Sequence, residues 1–269
     1  MTEIGDFRAR FGFHAMPFTR ELAVKDRYRS QTQEQTLKHL KQVVGDRMSA
    51  ALIAPAGSGK TTLLRTLLAA LPESRYRASY LKVTDLSKRD FCRELSHALG
   101  LERAGTYPML VRRLQEHLEQ AFTQEAVRWV VVLDEAQEFR PDVLGILRIL
   151  TNFEMDSRLV VSLIVSGQPP LDGLLDREAL RAVTDRLALR ARLSLLSTRE
   201  LDEYIRHRCT IAGAKKFPFD GDAVTAIFEM ARGNLRATDR LALKSLQLAH
   251  DAGDDLVNLN HITSARSLL

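Results

Sequence analysis

Long hydrophobic runs are missing from this sequence of 269 residues. A membrane-spanning helix needs about 18–20 consecutive apolar residues. The longest apolar runs, near Trp129–Leu133 and Leu159–Val165, have only the length of a β-strand. The N-terminus, MTEIGDFRAR, carries early acidic residues and no apolar core, so it does not match a secretory signal peptide. We therefore expect a cytoplasmic protein with no membrane segment.

Cysteine is also scarce, with two residues in the whole chain. Cys92 and Cys209 lie far apart and match no metal-binding spacing, so we expect ordinary thiols in a reducing compartment. Acidic residues are outnumbered, since the formal net charge is +5. A basic balance suits an anionic partner such as nucleic acid, although an arginine-rich proteome would shift the composition in the same way.

Short apolar segments alternate with helical patterns over the first two thirds of the chain. The predicted helices are Gln31–Val44, Thr61–Leu71, Lys88–Leu99, Tyr107–Phe122 and Pro141–Phe153. The predicted strands are Met48–Ile53, Ala78–Val83, Trp129–Leu133 and Leu159–Ser166. This alternation predicts an α/β fold with a parallel sheet covered by helices on both faces.

The pattern changes near residue 195. Thr198–Ala212, Asp220–Ala231 and Leu235–Ala249 read as successive helices with no strand between them, and Thr198 and Asp220 are plausible N-caps. We therefore predict two domains. Residues 1–194 would form an N-terminal segment with an α/β domain, and residues 195–269 a small all-helical domain.

A phosphate-binding loop is predicted between the first strand and the following helix. Residues 54–61 read Ala-Pro-Ala-Gly-Ser-Gly-Lys-Thr, which matches G-x-x-x-x-G-K-[ST] with Ala54 in place of the first glycine. Gly57 and Gly59 still allow the backbone N–H groups to surround an anion. The predicted nucleotide-binding residues are Pro55, Ala56, Gly57, Ser58, Gly59, Lys60, Thr61 and Thr62. The alternative is a solvated strand–helix turn.

The loop predicts ATP and Mg²⁺ as ligands. Lys60 would reach the β- and γ-phosphates, and the Thr61 hydroxyl would bind Mg²⁺. Because the loop is a surface feature, Lys60→Ala is expected to abolish ATP binding and to leave the fold intact.

An acidic pair follows the apolar strand Trp129–Leu133. In P-loop ATPases, a carboxylate at the end of a neighbouring strand holds Mg²⁺, and Asp134 has that place. Glu135 comes next and could orient or deprotonate the attacking water. An acidic loop after a buried strand is the alternative.

Several segments together resemble the AAA+ ATPases, and more closely the ExeA-like ATPases and the transposition helper ATPases of the TniB/TnsC kind. The segments are FGFHAMPFTRE, APAGSGKTT, VVVLDEAQEF, LRILTNFEMDS, LIVSGQPPL and ARGNLR. The resemblance covers most of the chain and implies that the helical domain is a lid over the nucleotide.

The resemblance also implies roles for residues outside the loop and the acidic pair. Ser166 or Gln168 would sense the γ-phosphate, although Ser166 could simply end a strand. Arg186, or secondly Arg181, would reach the ATP of a neighbouring subunit, although either could be an ordinary surface arginine. Arg236 of the lid, which follows Gly233 at the end of one helix, would point to the phosphates.

The function implied is that of an ATP-hydrolysing regulator of DNA transposition. ATP would assemble the chain into a ring or filament on duplex DNA, which would recruit a transposase or integrase. Lys88 and Arg89 could contact DNA phosphates, or could merely begin an exposed helix. The alternatives are a secretion or cell-envelope ATPase of the ExeA type and an ATP-driven signalling switch. The sequence contains neither the membrane span nor the peptidoglycan-binding domain usual in ExeA-like proteins, which favours transposition.

Overall fold

The computed structural model describes residues 7–82 and 85–269. Residues 1–6 and Val83, the predicted end of the second strand, lie outside the described residues. The chain forms two compact units. The α/β unit consists of Thr32–Pro55 and Lys60–Leu193, and the helical unit consists of the described residues up to Gln31, Ala56–Gly59 and Ser194–Leu269. The structure thus groups residues 7–31 with the helical unit, whereas the sequence placed them with the α/β domain.

The α/β unit is built on one parallel sheet, as predicted. Its strands are β1 (Ser49–Ile53), β2 (Tyr76–Leu81), β3 (Arg128–Leu133), β4 (Val161–Gly167) and β5 (Leu187–Arg192). The strand order is β2-β3-β4-β1-β5, and every pairing is parallel. The edge strand β5 was not predicted from the sequence.

Helices cover both faces of this sheet. They are α2 (Gln31–Gly45), α3 (Lys60–Ala69), α4 (Lys88–Ala98), α5 (Tyr107–Thr123), α6 (Pro141–Leu144), α7 (Ile146–Leu150), α8 (Pro170–Leu175) and α9 (Arg181–Thr184). Successive residues of a strand point to opposite faces. Accordingly, Val130 and Val132 pack in a core with residues of α2 and α3. Val131 and Leu133 pack in a second core with residues of α4 to α9.

The helix predicted at Pro141–Phe153 is wrong, because two short helices, α6 and α7, occupy this region and end at Leu150. They are separated by Gly145, and glycine is a poor helix former that weakens a continuous helix. Within residues 7–82 and 85–269, no helix is long and apolar enough to cross a membrane.

The register of the sheet brings the functional segments to one edge. Leu133 of β3 pairs with Val165 of β4, and Ile53 of β1 pairs with Gly167 of β4. The residues that follow these positions leave the sheet at the carboxyl ends of neighbouring strands. In parallel sheets, ligands bind at this edge.

The helical unit contains α1 (Phe7–Phe11), α10 (Thr198–Ile211), α11 (Gly221–Ala231), α12 (Leu235–Ala252) and α13 (Leu259–Ser267). The N-cap of α10 is Ser197 rather than the predicted Thr198, because the Ser197 hydroxyl and the Glu200 carboxylate form a capping box. Asp220 is confirmed as the N-cap of α11, since its carboxylate accepts from the Ala223 N–H. The predicted end of α11 at Ala231 is confirmed, with Arg232 as its left-handed C-cap. Gly233, which the resemblance placed at the end of this helix, lies one residue beyond the cap, also with a positive φ of 77°.

Four N-terminal aromatic residues complete the core of the helical unit. Phe7, Phe11, Phe13 and Phe18 are buried with apolar residues of α10 to α13. The rings of Phe18 and Phe219 meet edge to face, with 6.2 Å between their centroids. The N-terminal segment is therefore a structural part of the helical unit.

Candidate nucleotide site

The predicted phosphate loop leaves β1 and leads directly into α3, which begins at Lys60. Gly57 and Gly59 have φ angles of 77° and 91°. Side-chain-bearing residues rarely adopt these left-handed angles, so both glycines are required by the backbone. Successive N–H groups in such a turn, followed by a helix N-terminus, make a concave site suited to an anion.

Lys60 is buried, with 6% of its surface exposed. Its Nζ lies 3.0 Å from Asp134 Oδ1 and 3.1 Å from Glu135 Oε1. The structure therefore brings the loop lysine and the acidic pair together, as expected for a carboxylate at the end of a strand that neighbours the phosphate loop. It does not support the expectation that Lys60→Ala leaves the fold intact, because the substitution would leave two carboxylates without their cation.

Asp134 is 1% exposed and is held by several donors at the end of β3. Oδ1 accepts from Ser166 Oγ at 3.0 Å and from the Glu135 N–H at 2.9 Å. Oδ2 accepts from the Tyr80 hydroxyl at 2.6 Å. Burial, together with this hydrogen bond and the nearby carboxylate charges, raises the pKa of Tyr80, so the phenol remains a donor. These bonds fix the orientation of the Asp134 carboxylate.

Glu135 has a strained backbone and a well-defined carboxylate. Its φ of 53° and ψ of 37° are left-handed values, uncommon for a residue with a side chain and frequent at functional sites. Oε2 accepts from Gln137 Nε2 at 2.7 Å and from Gln168 Nε2 at 3.1 Å. Burial alone would raise the pKa of Glu135, but hydrogen bonds from these amides and from Lys60 outweigh it and lower the pKa to about 2. Glu135 is therefore ionised.

The two sensor candidates contact different carboxylates. Ser166 lies in β4, is fully buried and donates to Asp134. Gln168 follows β4, is half-buried and donates to Glu135. Gln168 therefore contacts Glu135, the proposed base, and Ser166 contacts Asp134, the proposed metal ligand.

The donor set of the site suits Mg²⁺. Mg²⁺ prefers oxygen ligands and is usually held by one or two protein groups together with water and substrate phosphates. The Asp134 carboxylate and the hydroxyl of Thr61, an exposed residue in the first turn of α3, are ligands of this kind. Among the described residues there is no group of three or more His, Cys, Asp or Glu side chains that could hold a metal by themselves.

The predicted arginines differ in their surroundings. Arg186 is half-buried, donates from Nη1 to the Ala182 carbonyl at 2.6 Å and forms an ion pair with Asp156. Arg181, at the start of α9, is exposed, and its side chain forms no hydrogen bond or ion pair with any residue that the structure describes. Arg236 is exposed at the second position of α12. Of the two arginine-finger candidates, Arg181 therefore has the more exposed side chain.

The predicted DNA-contacting residues lie at the start of α4 and are both exposed. Lys88 Nζ is 4.0 Å from Asp142 Oδ2. Arg89 Nε donates to the Gly105 carbonyl at 3.2 Å. Both side chains therefore have contacts within their own subunit.

Three residues at or beside the site were not recognised in the sequence. Tyr80 and Gln137 bind the acidic pair, and Asn234 binds the phosphate loop through the carbonyl of Ala56. Asn234 carried a usable signal, because an asparagine directly before a helical pattern is a preferred N-cap. The other two contacts follow from strand pairing and turn geometry, which a single sequence does not reveal.

A family model described as an AAA domain matches residues 41–175. The chain is also similar to general secretion pathway protein A of Aeromonas hydrophila, with 30% identity over 246 residues. That alignment covers 90% of this chain and 45% of the relative, so the chain spans about half the length of the curated protein that it matches. This similarity supports the ExeA part of the resemblance, and the TniB/TnsC part stays a prediction.

Solved structures share the fold at low sequence identity. Cdc6p from Pyrobaculum aerophilum has a TM-score of 0.72 and 19% identity, with 92% of this chain and 69% of that chain covered. The ORC1 protein of Aeropyrum pernix, solved in complex with DNA, has a TM-score of 0.71 and 18% identity, with coverages of 95% and 69%. RuvB of Thermotoga maritima, a Holliday junction branch migration motor, has a TM-score of 0.59 and 16% identity, with coverages of 90% and 70%. At these identities the likeness concerns the fold alone.

Proposed function

We propose that this chain, which belongs to the AAA family of P-loop ATPases, hydrolyses ATP at the carboxyl edge of its parallel sheet. The observation that carries the proposal is the Lys60 ammonium group, which is buried at the end of a phosphate loop and lies within 3.1 Å of both acidic residues. A lysine, a metal-binding carboxylate and a second carboxylate are the parts that phosphoryl transfer to water requires.

In the proposed reaction, the loop amides and Lys60 bind the phosphates of ATP. Lys60 would then exchange its carboxylate partners for phosphate oxygens, which frees Glu135 from its nearest cation. Thr61 and Asp134 would hold Mg²⁺, which neutralises phosphate charge when bound. Gln137 and Gln168 would keep the Glu135 carboxylate oriented.

The chemical step is attack of water on the γ-phosphorus. A new P–O bond forms from the water, the bond between the γ-phosphorus and the β–γ bridging oxygen breaks, and ADP leaves. Glu135 accepts the proton that the water loses. Because charge spreads over the phosphate oxygens in the transition state, most of the catalysis comes from positioning and electrostatics. We propose that Arg236 stabilises this negative charge. We propose that Arg181 of a neighbouring subunit does the same when ATP assembles the chain into a ring or filament.

Glu135→Gln tests the chemical step. The variant keeps the shape of the side chain and cannot accept a proton, so we expect retained ATP binding and a turnover lowered about 10²- to 10⁴-fold. The matched control is Glu73→Gln, the same change at an exposed position after α3, which should turn over like the parent. Phosphate release measures turnover, and binding of a fluorescent ATP analogue measures affinity. A Glu135→Gln variant with parental turnover would show that Glu135 is not the base.

Two cellular roles have specific support. An ATPase of a secretion or cell-envelope system is favoured by the 30% identity to general secretion pathway protein A across 90% of this chain. A regulator of DNA transposition that assembles on duplex DNA and recruits a transposase is the second candidate. It is favoured by the net charge of +5 and by a fold shared with a protein solved in complex with DNA. Binding of duplex DNA in the ATP state separates the two candidates.

A further inference from the structure

The Asn234 carboxamide joins two parts of the helical unit. Its Oδ1 accepts from the Ala237 N–H at 3.1 Å, which caps α12. Its Nδ2 donates to the Ala56 carbonyl of the phosphate loop at 2.8 Å. The next residue adds a parallel contact, because the Leu235 N–H donates to the Gly57 carbonyl at 2.9 Å. One asparagine therefore caps a helix and holds the phosphate loop at the same time.

Glycines on both sides make this close approach possible. A Cβ added to Gly57 would overlap the Asn234 carboxamide. A Cβ added to Gly233 would overlap the Leu196 carbonyl, and the Leu196 N–H donates to the Gly233 carbonyl at 3.1 Å. Asn234 thus follows a glycine that is held against Leu196, and its own side chain contacts the phosphate loop.

We propose that Asn234 is a positioning residue for ATP binding, which holds the phosphate loop in its anion-binding conformation before ATP arrives. In a nest of backbone N–H groups, the donors face the anion and the carbonyls face away from it. The Asn234 amide and the Leu235 N–H bind the carbonyls of Ala56 and Gly57. These bonds hold the two peptide groups in the orientation in which their N–H groups face the anion. A loop ordered in advance loses less conformational entropy when it binds ATP, so affinity rises. This inference rests on the proposed ATPase function and extends it to the helical unit.

Two substitutions separate the loop contact from the helix cap. Asn234→Ser retains a good N-cap, since serine and asparagine cap about equally well, but removes the amide donor to Ala56. Asn234→Asp also retains the cap, and it places a negative charge against a carbonyl beside the site for the phosphates. The matched control is Asn258→Ser, because Asn258 caps α13 through the Asn260 and His261 N–H groups in the same unit.

The experiment measures ATP affinity, steady-state kinetics and hydrogen exchange. We expect Asn234→Ser to weaken ATP binding about fivefold, the value of one net hydrogen bond, and Asn234→Asp to weaken it more than roughly tenfold. KM should rise with little change in kcat, because the residue acts on binding. The amides of the loop, Gly57–Gly59, should exchange faster in the nucleotide-free Asn234→Ser variant. Asn258→Ser should leave all these quantities at parental values.

The outcomes distinguish the inference from the proposed function. If the parent and Asn258→Ser do not bind ATP, the proposed function itself is wrong. If they bind ATP and Asn234→Ser matches them in affinity and loop exchange, Asn234 is a helix cap alone and the inference is overturned. A lower melting temperature of Asn234→Ser with unchanged affinity would overturn it equally.

Discussion

Removing the Lys60 ammonium group should destabilise the nucleotide-free protein as well as abolish ATP binding. Nζ lies 3.0 Å from Asp134 and 3.1 Å from Glu135. At these distances, Coulomb's law with an effective dielectric constant of about 20 gives roughly 5 kcal/mol of attraction for each contact. Desolvation of the three charges offsets most of this attraction, so the gross figure is not the expected loss.

Deletion of one partner is nevertheless costly, because it leaves the remaining charges buried and uncompensated. For a buried ion pair the typical loss is about 3–5 kcal/mol. Asp134 is 1% exposed and remains beside Glu135 in the variant, so we expect Lys60→Ala to lie in this range. At about 2–4 °C per kcal/mol for a domain of 150–250 residues, the melting temperature should fall by roughly 10 °C.

Thermal unfolding without nucleotide measures this effect, because bound ATP would itself stabilise the parent. The control is Lys38→Ala, which removes an exposed lysine from α2 of the same unit and should change the melting temperature little. Adding Asp134→Asn to Lys60→Ala should recover part of the loss, since it removes one of the two stranded charges. A nucleotide-free Lys60→Ala protein that melts within about 2 °C of the parent would refute the reasoning.

Two further predictions concern the helical unit and the partner. Burial raises the pKa of Asp239 to about 6 despite its ion pair with Arg208. Between the ordinary pKa of an aspartate and this raised value, the native state keeps a proton that the unfolded state loses, so the free energy of unfolding should fall as the pH rises from about 4 to 6. Asp239→Asn should remove this pH dependence, which urea unfolding at several pH values measures. Duplex DNA should bind without strong sequence preference, better with a non-hydrolysable ATP analogue than with ADP, and more weakly as salt rises. Fluorescence anisotropy across a salt series tests this, and no binding at low salt in any nucleotide state would rule out the transposition role.

The grouping of Lys60 with Asp134 and Glu135 could be predicted from the sequence, because the motifs that carry these residues are short and contiguous. The phosphate loop and the acidic pair each occupy a few consecutive residues whose chemistry is specific. Their meeting also followed from the fold, since the carboxyl ends of parallel strands share one edge. The contacts of Tyr80 and Gln168 with the acidic pair depend on which strands are neighbours, and local sequence patterns do not predict strand order.

The missed elements have local patterns that are ambiguous. The strand β5, Leu-Ala-Leu-Arg-Ala-Arg, lies at the edge of the sheet and carries two arginines, Arg190 and Arg192, which form ion pairs with Asp172. Charged residues are frequent on edge strands and weaken the strand signal. The helix α13 is short and polar, so its periodicity is weak. By contrast, the capping box of Ser197 and Glu200 was present in the sequence and could have given the correct start of α10.

The aromatic N-terminal segment imposes an order on the synthesis of this protein. Phe18 belongs to the same core as α10, yet about 180 residues separate Phe18 from Thr198. At a translation rate of about 5–20 residues per second, α10 begins to emerge roughly 10–40 s after the four phenylalanines, and α13, the last helix of the same core, is complete only after roughly 10–50 s. The α/β unit emerges completely in that interval and can fold first. The helices α10 to α13 must then pack against the N-terminal phenylalanines, which were synthesised much earlier. Assembly of the helical unit is therefore a late step of folding that depends on non-local contacts.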